Sequence, residues 1–115
     1  MKLICPDPKT FSLEFFEKLK KIFSVDLREA NQDKFNKIGK NYDIILTRFN
    51  YFLKYKNNTN IKYILTPTTG LDHIDKKFFT NKKIKIFSLK GHVNFLKNVR
   101  ATIEFTIFLI LASIR

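Results

Sequence analysis

The sequence predicts an α/β domain built on an open, parallel, five-stranded sheet with helices on both faces. Three observations carry that reading. Short β-branched or aliphatic runs alternate with longer segments of helical period, the pattern of parallel strands joined by right-handed crossover helices. Two of those runs, DIILT and KYILT, are close to continuously apolar, as expected of strands buried on both faces. The 115 residues fit one domain, and a 44% hydrophobic fraction with thirteen Phe and four Tyr supplies its core.

Lys2 to Cys5 reads as the first strand, stopped by Pro6 and Pro8. Phe11, Phe15, Phe16, Leu19, Ile22 and Phe23 then recur at three- and four-residue spacing, which places a helix at about residues 12 to 23 with Ser12 as N-cap. Val25 and Leu27 alternate with polar neighbours and mark a short edge strand. Asn31 to Lys40 carries Phe35 and Ile38 on one face of a polar helix. Asp43 to Thr47 is the third, central strand and delivers Arg48 at its carboxyl end. Lys62 to Thr66 is the fourth and delivers Pro67 to Gly70; Lys85 to Leu89 is the fifth and ends at Lys90 and Gly91. In the last segment, 94–115, apolar residues surround the helix axis, so that helix is expected to be buried on more than one side. Such burial calls for another domain or a partner chain, and self-association is the corresponding expectation. No internal repeat or linker marks a boundary inside the chain.

The net charge of +12 comes from 22 Lys and Arg against 10 Asp and Glu. The basic residues are mostly Lys and are scattered through every segment, whereas Arg dominates specific readers of phosphates and bases. No specific nucleic-acid partner is expected; the surplus supports non-specific attraction of anions, a small acidic substrate included. The single cysteine, Cys5, forms neither an internal disulfide nor a CxxC, so a reducing cytoplasm is the expected location and no zinc site is encoded. The N-terminus does not read as a signal peptide. Phe105 to Ala112 is apolar apart from Thr106, far short of the roughly twenty residues of a membrane span.

In an open parallel sheet, ligands bind outside the carboxyl ends of the strands. Three turns stand out there: Arg48, Thr68 to Asp72, and Gly91 with His92. Two threonines before Gly70 make a turn in which glycine can adopt φ > 0 and backbone N–H groups can converge on a carboxylate or phosphate. Arg48 on the neighbouring strand end would add a bidentate clamp. The same spacing also reads as a plain strand-to-helix turn, with Asp72 capping the next helix. His73 is expected on the solvated start of that helix and His92 in a loop, neither as a general acid. A magnesium cluster would need acids at several strand ends; Asp7 follows the first strand, but Arg48 and Thr66 occupy the next ones, so no metal is expected.

Three stretches, ILTPTTGLDHID at 64–75, KIKIFSLKG at 83–91 and FLKNVRATIEFTIFLILASIR at 95–115, resemble the D-isomer-specific 2-hydroxyacid dehydrogenases, especially the D-3-phosphoglycerate dehydrogenases. That family's G-x-G-x-D-x-I-D signature corresponds to Thr68-Thr69-Gly70-Leu71-Asp72-His73-Ile74-Asp75, and its A-T-A-E-H-T signature to Ala101-Thr102-Ile103-Glu104-Phe105-Thr106. The departures are Thr68 for the first glycine and Phe105 for the frequent histidine. The resemblance implies a flavodoxin-like substrate-binding domain of strand order 2-1-3-4-5. It further implies hydride transfer between a nicotinamide and a D-2-hydroxy or 2-keto acid in a crevice between two domains. Backbone N–H groups of Thr69 and Gly70 would hold the substrate carboxylate, Arg48 would neutralise an anionic group, and Thr69 and Thr106 would approach the NAD or NADP cofactor.

No G-x-G-x-x-G follows a strand, so residues 1–115 read as the substrate-binding domain alone, truncated before the dinucleotide-binding domain into which helix 94–115 would lead. The family's catalytic Arg, Glu and His lie in that missing domain. No catalytic residue is therefore expected here, the chain is expected to be inactive alone, and it should not bind the cofactor tightly. The alternative is a non-enzymatic flavodoxin-like binding or regulatory module, since the same layout hosts many functions.

Overall fold

The computed structural model describes residues 1–55, 59–92 and 94. Among them five strands form one sheet: β1 (Lys2–Cys5), β2 (Ser24–Leu27), β3 (Ile44–Leu46), β4 (Tyr63–Thr66) and β5 (Lys85–Ser88). All neighbours are parallel, in the order β2-β1-β3-β4-β5, so the anticipated topology is the observed one. Central β3 is buried along its whole length, and β2 is an edge, as its alternating pattern implied.

The two-residue period of the strands splits the core into two layers. Leu3, Cys5, Ile44 and Leu46 face α1 (Leu13–Lys20), which contributes Phe16 and Leu19. Ile4, Ile45 and Ile64 face α2 (Gln32–Ile38) and α3 (Lys76–Asn81), which contribute Phe35 and Phe79. Phe35 and Phe79 are completely buried, and each such burial stabilises the fold by about 1.5–3 kcal/mol. The α1 layer is the less completely covered: Phe87 remains exposed, beside apolar grooves of about 300 Å³ that run past Leu65.

Ser12 caps α1 by accepting the Phe15 N–H, and Asn31 caps α2 by accepting the Lys34 N–H. Helix α1 stops at Lys20, short of the predicted residue 23, because the Ile22 and Phe23 N–H groups both fold back onto the Leu19 carbonyl to aim the chain into β2. After α2 the chain tightens into a 3-10 turn, Gly39–Asn41, where Gly39 lies against the Tyr55 hydroxyl and the Phe35 ring. Helix α3 is capped by Asp75, whose carboxylate accepts the Phe78 N–H, and not by Asp72. The correction has a non-local cause. A parallel bridge joins Leu53 to Ile74, with the Leu53 N–H donating to the His73 carbonyl (2.8 Å) and the Asp75 N–H to the Leu53 carbonyl (3.0 Å). That bridge holds residues 72–74 out of the helix and seats Ile74 in the core.

The connection from β3 to β4 is long, and side chains tie it down. Gln32 grips the Phe52 backbone twice, donating to its carbonyl and accepting its N–H, and the Tyr51 hydroxyl donates to the Pro6 and Ala30 carbonyls. At the amino ends of the strands, Asp43 laces three of them together. Its carboxylate accepts the Lys2 N–H (2.8 Å) and pairs with the Lys62 ammonium (2.9 Å), while its carbonyl accepts the Lys62 and Tyr63 N–H groups. The Lys2 N–H first, and then Lys62, hold the Asp43 carboxyl below its ordinary pKa.

Candidate functional site

Parallel pairing puts all five carboxyl ends on one rim, and the loops leaving β1, β3, β4 and β5 build it. Arg48 lies just past β3 and is exposed, its guanidinium carbon 4.8 Å from the centre of the Phe11 ring. It thus leans towards the β1–α1 connection. The neighbouring Phe49 leans the other way: its ring edge comes within 3.4 Å of where a Cβ on Gly70 would stand, and it meets the His73 ring edge-on at 5.2 Å. The structure therefore brings residues 48–49 and 68–73 to one stretch of the rim, with Phe49 in contact with the turn and Arg48 engaged by Phe11. Thr69 is exposed and Gly70 half-buried. Thr106, and the helix expected over 94–115 apart from Asn94, which is helical, lie outside the described residues.

The turn itself is built differently from expectation. Gly70 does not adopt a positive φ; among the described glycines only Gly91 does, at 84°. Side-chain bonds replace the left-handed residue. The Thr68 hydroxyl donates to the Gly70 carbonyl (2.9 Å) and meets the Thr66 hydroxyl (2.9 Å), and the Thr68 carbonyl accepts the Leu89 N–H (3.0 Å). With the turn pinned this way, the N–H groups of Thr69, Gly70 and Leu71 find no acceptor among the described residues. The same holds for the N–H groups of Thr68, Asp72 and His73 on either side, and successive unengaged donors at a strand's carboxyl end can take an anion or water.

His73 is buried, at 4% exposure, not solvated as the sequence implied. The Leu53–Ile74 bridge draws it inward, where Nε2 lies 3.2 Å from the Thr66 hydroxyl and Nδ1 has no partner among the described residues. Burial holds its imidazole below the ordinary pKa, with Asp72 pulling weakly the other way. His92 is exposed in the loop beside Gly91, as expected. Cys5 is buried at the end of β1, and desolvation pushes its thiol up to about 11, which makes it a poor nucleophile. Sequence reasoning missed Phe49 and Thr66 and misplaced His73. Their grouping depends on the Leu53–Ile74 bridge, which no local spacing reports.

A cavity of about 340 Å³ opens at the ends of β1 and β2, between Asp7, Lys9, Glu29 and Tyr51. Lys9 pairs with Glu29 at 3.0 Å, and Asp7 accepts from the Asn50 amide at 2.7 Å. With two carboxylates to one ammonium, it has the wrong sign for an acid ligand. The described residues contain no group of three or more His, Cys, Asp or Glu placed to hold a metal, and none of their helices is long and apolar enough to cross a membrane.

No family model matches this sequence, and no curated protein matches it. Solved structures do. The PH0520 protein of Pyrococcus horikoshii OT3 matches with a TM-score of 0.69 at 18% identity, over 97% of this chain and 37% of that one. A D-lactate dehydrogenase of Aquifex aeolicus, solved with NAD and lactic acid, matches with a TM-score of 0.63 at 20% identity, over 79% of this chain and 28% of that one. The chain thus spans about a third of the length of these structures. Its fold is the five-stranded α/β open sheet that forms part of a D-lactate dehydrogenase.

Proposed function

We propose that this chain is the substrate-binding portion of an NAD-dependent D-2-hydroxyacid dehydrogenase, and that the turn from Thr69 to Leu71 receives the carboxylate of a 2-hydroxy or 2-keto acid. The observation that carries this reading is that the N–H groups of Thr69, Gly70 and Leu71 have no acceptor among the described residues, at the end of the strand next to the one that delivers the exposed Arg48. A carboxylate there accepts charge-assisted hydrogen bonds from the backbone. Arg48 supplies the countercharge by turning from the Phe11 ring, a contact of only about 0.5–1 kcal/mol, towards the acid. The net charge of +12 raises the local concentration of small anions.

Glycines occur only at Gly39, Gly70 and Gly91, too far apart for the loop that cradles a dinucleotide pyrophosphate, so the residues present do not fit an NAD site. Thr69 and Thr106 belong, in this reading, to the side that faces the nicotinamide. The part played by these 115 residues is to bind and orient the acid; no step of hydride transfer is assigned to them. Amide spectra recorded while oxalate or D-lactate is added test the proposal. Shifts should centre on Thr69, Gly70 and Leu71 with a dissociation constant near 1 mM, equivalent to about −4 kcal/mol, and Arg48→Ala should weaken binding severalfold. Shifts confined to the cavity around Asp7 and Glu29, or no response at all, would sink it.

A further inference from the structure

The hydroxyls beneath the turn are arranged so that only one direction of donation is open. A carbonyl can only accept, so the bond between Thr68 Oγ1 and the Gly70 oxygen uses the single proton of Thr68. In the 2.9 Å contact between the two threonines, Thr68 must then accept, and the proton of Thr66 is committed to it. At the 3.2 Å contact with His73 Nε2, Thr66 in turn has only a lone pair left to offer. The proton of that last bond therefore sits on Nε2 of the histidine. The other ring nitrogen, Nδ1, is left as a bare lone pair, which agrees with its being buried without a partner among the described residues: an unmet acceptor is easier to bury there than an unmet N–H donor or a cation would be.

We infer that His73 is a positioning residue: its Nε2–H starts a one-way hydrogen-bond chain through Thr66 and Thr68 that fixes the Gly70 carbonyl and so aims the Leu71 N–H. The last step follows from peptide geometry. No peptide among the described residues is cis, so the carbonyl of Gly70 and the N–H of Leu71 point in opposite directions. Holding that carbonyl towards the buried Thr68 side chain turns the Leu71 N–H away from it, to the side where an acid would bind. Two further contacts keep the chain in place. The backbone of His73 is clamped by the Leu53 N–H, and the Phe49 ring lies edge-on to the imidazole and against Gly70. His73 touches no ligand in this scheme. It acts through the direction of a peptide plane three hydrogen bonds away, and its role in acid binding rests on the function proposed above.

Nitrogen NMR of the imidazole in the full chain reads the tautomer directly. The wild type should show His73 as the Nε2–H tautomer alone. Thr68→Val removes one hydroxyl without changing the shape of the side chain, and frees the Thr66 proton to point at Nε2; the ring should then become a mixture of tautomers, and Thr68→Ser should restore the single form. A role in packing alone predicts no such change at a ring that Thr68 does not touch. Oxalate affinity should fall about tenfold in Thr68→Val, equivalent to about 1.4 kcal/mol, and recover in Thr68→Ser. An Nδ1–H tautomer in the wild type overturns the inference without any variant being needed, as does a His73 ring unchanged by Thr68→Val. If the tautomers behave as stated but the wild type binds no oxalate, the proposed function fails and the hydrogen-bond chain stands. If oxalate binds equally well to wild type and Thr68→Val, the positioning role fails while the proposed function survives.

Discussion

Replacing Gly39 by alanine should destabilise this domain, and removing the Tyr55 hydroxyl should cancel most of the loss. A Cβ on Gly39 would stand 2.7 Å from the Tyr55 oxygen and 3.0 Å from the edge of the Phe35 ring, both too close. Gly39 has helical angles, φ −58° and ψ −33°, so alanine gains about 0.5–1 kcal/mol by restricting the unfolded chain. Overpacking costs about 1–3 kcal/mol, which leaves a net loss of up to about 2.5 kcal/mol, centred a little above 1. The Tyr55 hydroxyl is buried with no hydrogen-bond partner among the described residues, and burial pushes its pKa up to about 12. Tyr55→Phe discards an unsatisfied group and should be neutral or stabilising by up to about 1 kcal/mol. In that background the nearest clash is gone and only the Phe35 edge remains, so Gly39→Ala should cost about 1 kcal/mol less than in the wild type. Urea unfolding followed by circular dichroism measures all four proteins; a 1 kcal/mol change corresponds to about 4–8 °C in Tm for a domain of this size. The reasoning is refuted if Gly39→Ala costs the same in both backgrounds to within about 0.3 kcal/mol. It is equally refuted if Tyr55→Phe alone loses more than about 1 kcal/mol, because the hydroxyl would then have a partner.

Just beyond α3 and its C-cap Lys82, Lys83 stands at φ 58°, its N–H bonded to the Thr80 carbonyl and that of Ile84 to the Phe79 carbonyl, an arrangement that favours glycine. Lys83→Gly should therefore raise stability by about 0.5–1 kcal/mol in urea melts. Burial depresses the His73 pKa in the fold, so the unfolded chain binds the proton more readily near its ordinary value of about 6.5. Stability contributed by His73 is complete above that value and is lost as pH falls from it to the lower folded value; His73→Gln should flatten the pH dependence in that window. Cys5, with its thiol near 11, should react with iodoacetamide at pH 8 roughly a hundredfold more slowly in the folded chain than in the denatured one.

The strands and the starts of α1 and α2 were legible because their signals are local. The DIILT run needs two-sided burial wherever it sits, and Ile44–Leu46 is buried throughout at the centre of the sheet. Ser12 and Asn31 each stand directly before a helical period and cap through their own side chains. The turn after β4 was legible only in part. Its threonines and glycine were visible, but Thr68 closes the turn with its hydroxyl, so Gly70 has no need of the left-handed angles that its residue type suggested. Asp72 and His73 were misjudged for one shared reason. Leu53 comes from twenty residues upstream, behind a long irregular connection, and its pairing with Ile74 decides where α3 starts and which side of His73 faces inward.

Asp43 gives the molecule a division of labour between the two ends of its strands. The bonds that join β1, β3 and β4 through this one residue all lie where the strands begin, and the unengaged donors of the turn all lie where they end. Substitutions that retune what is recognised can thus accumulate at one end without unpicking the seam at the other. A scaffold sewn on a single hem can change its clientele while keeping its cut.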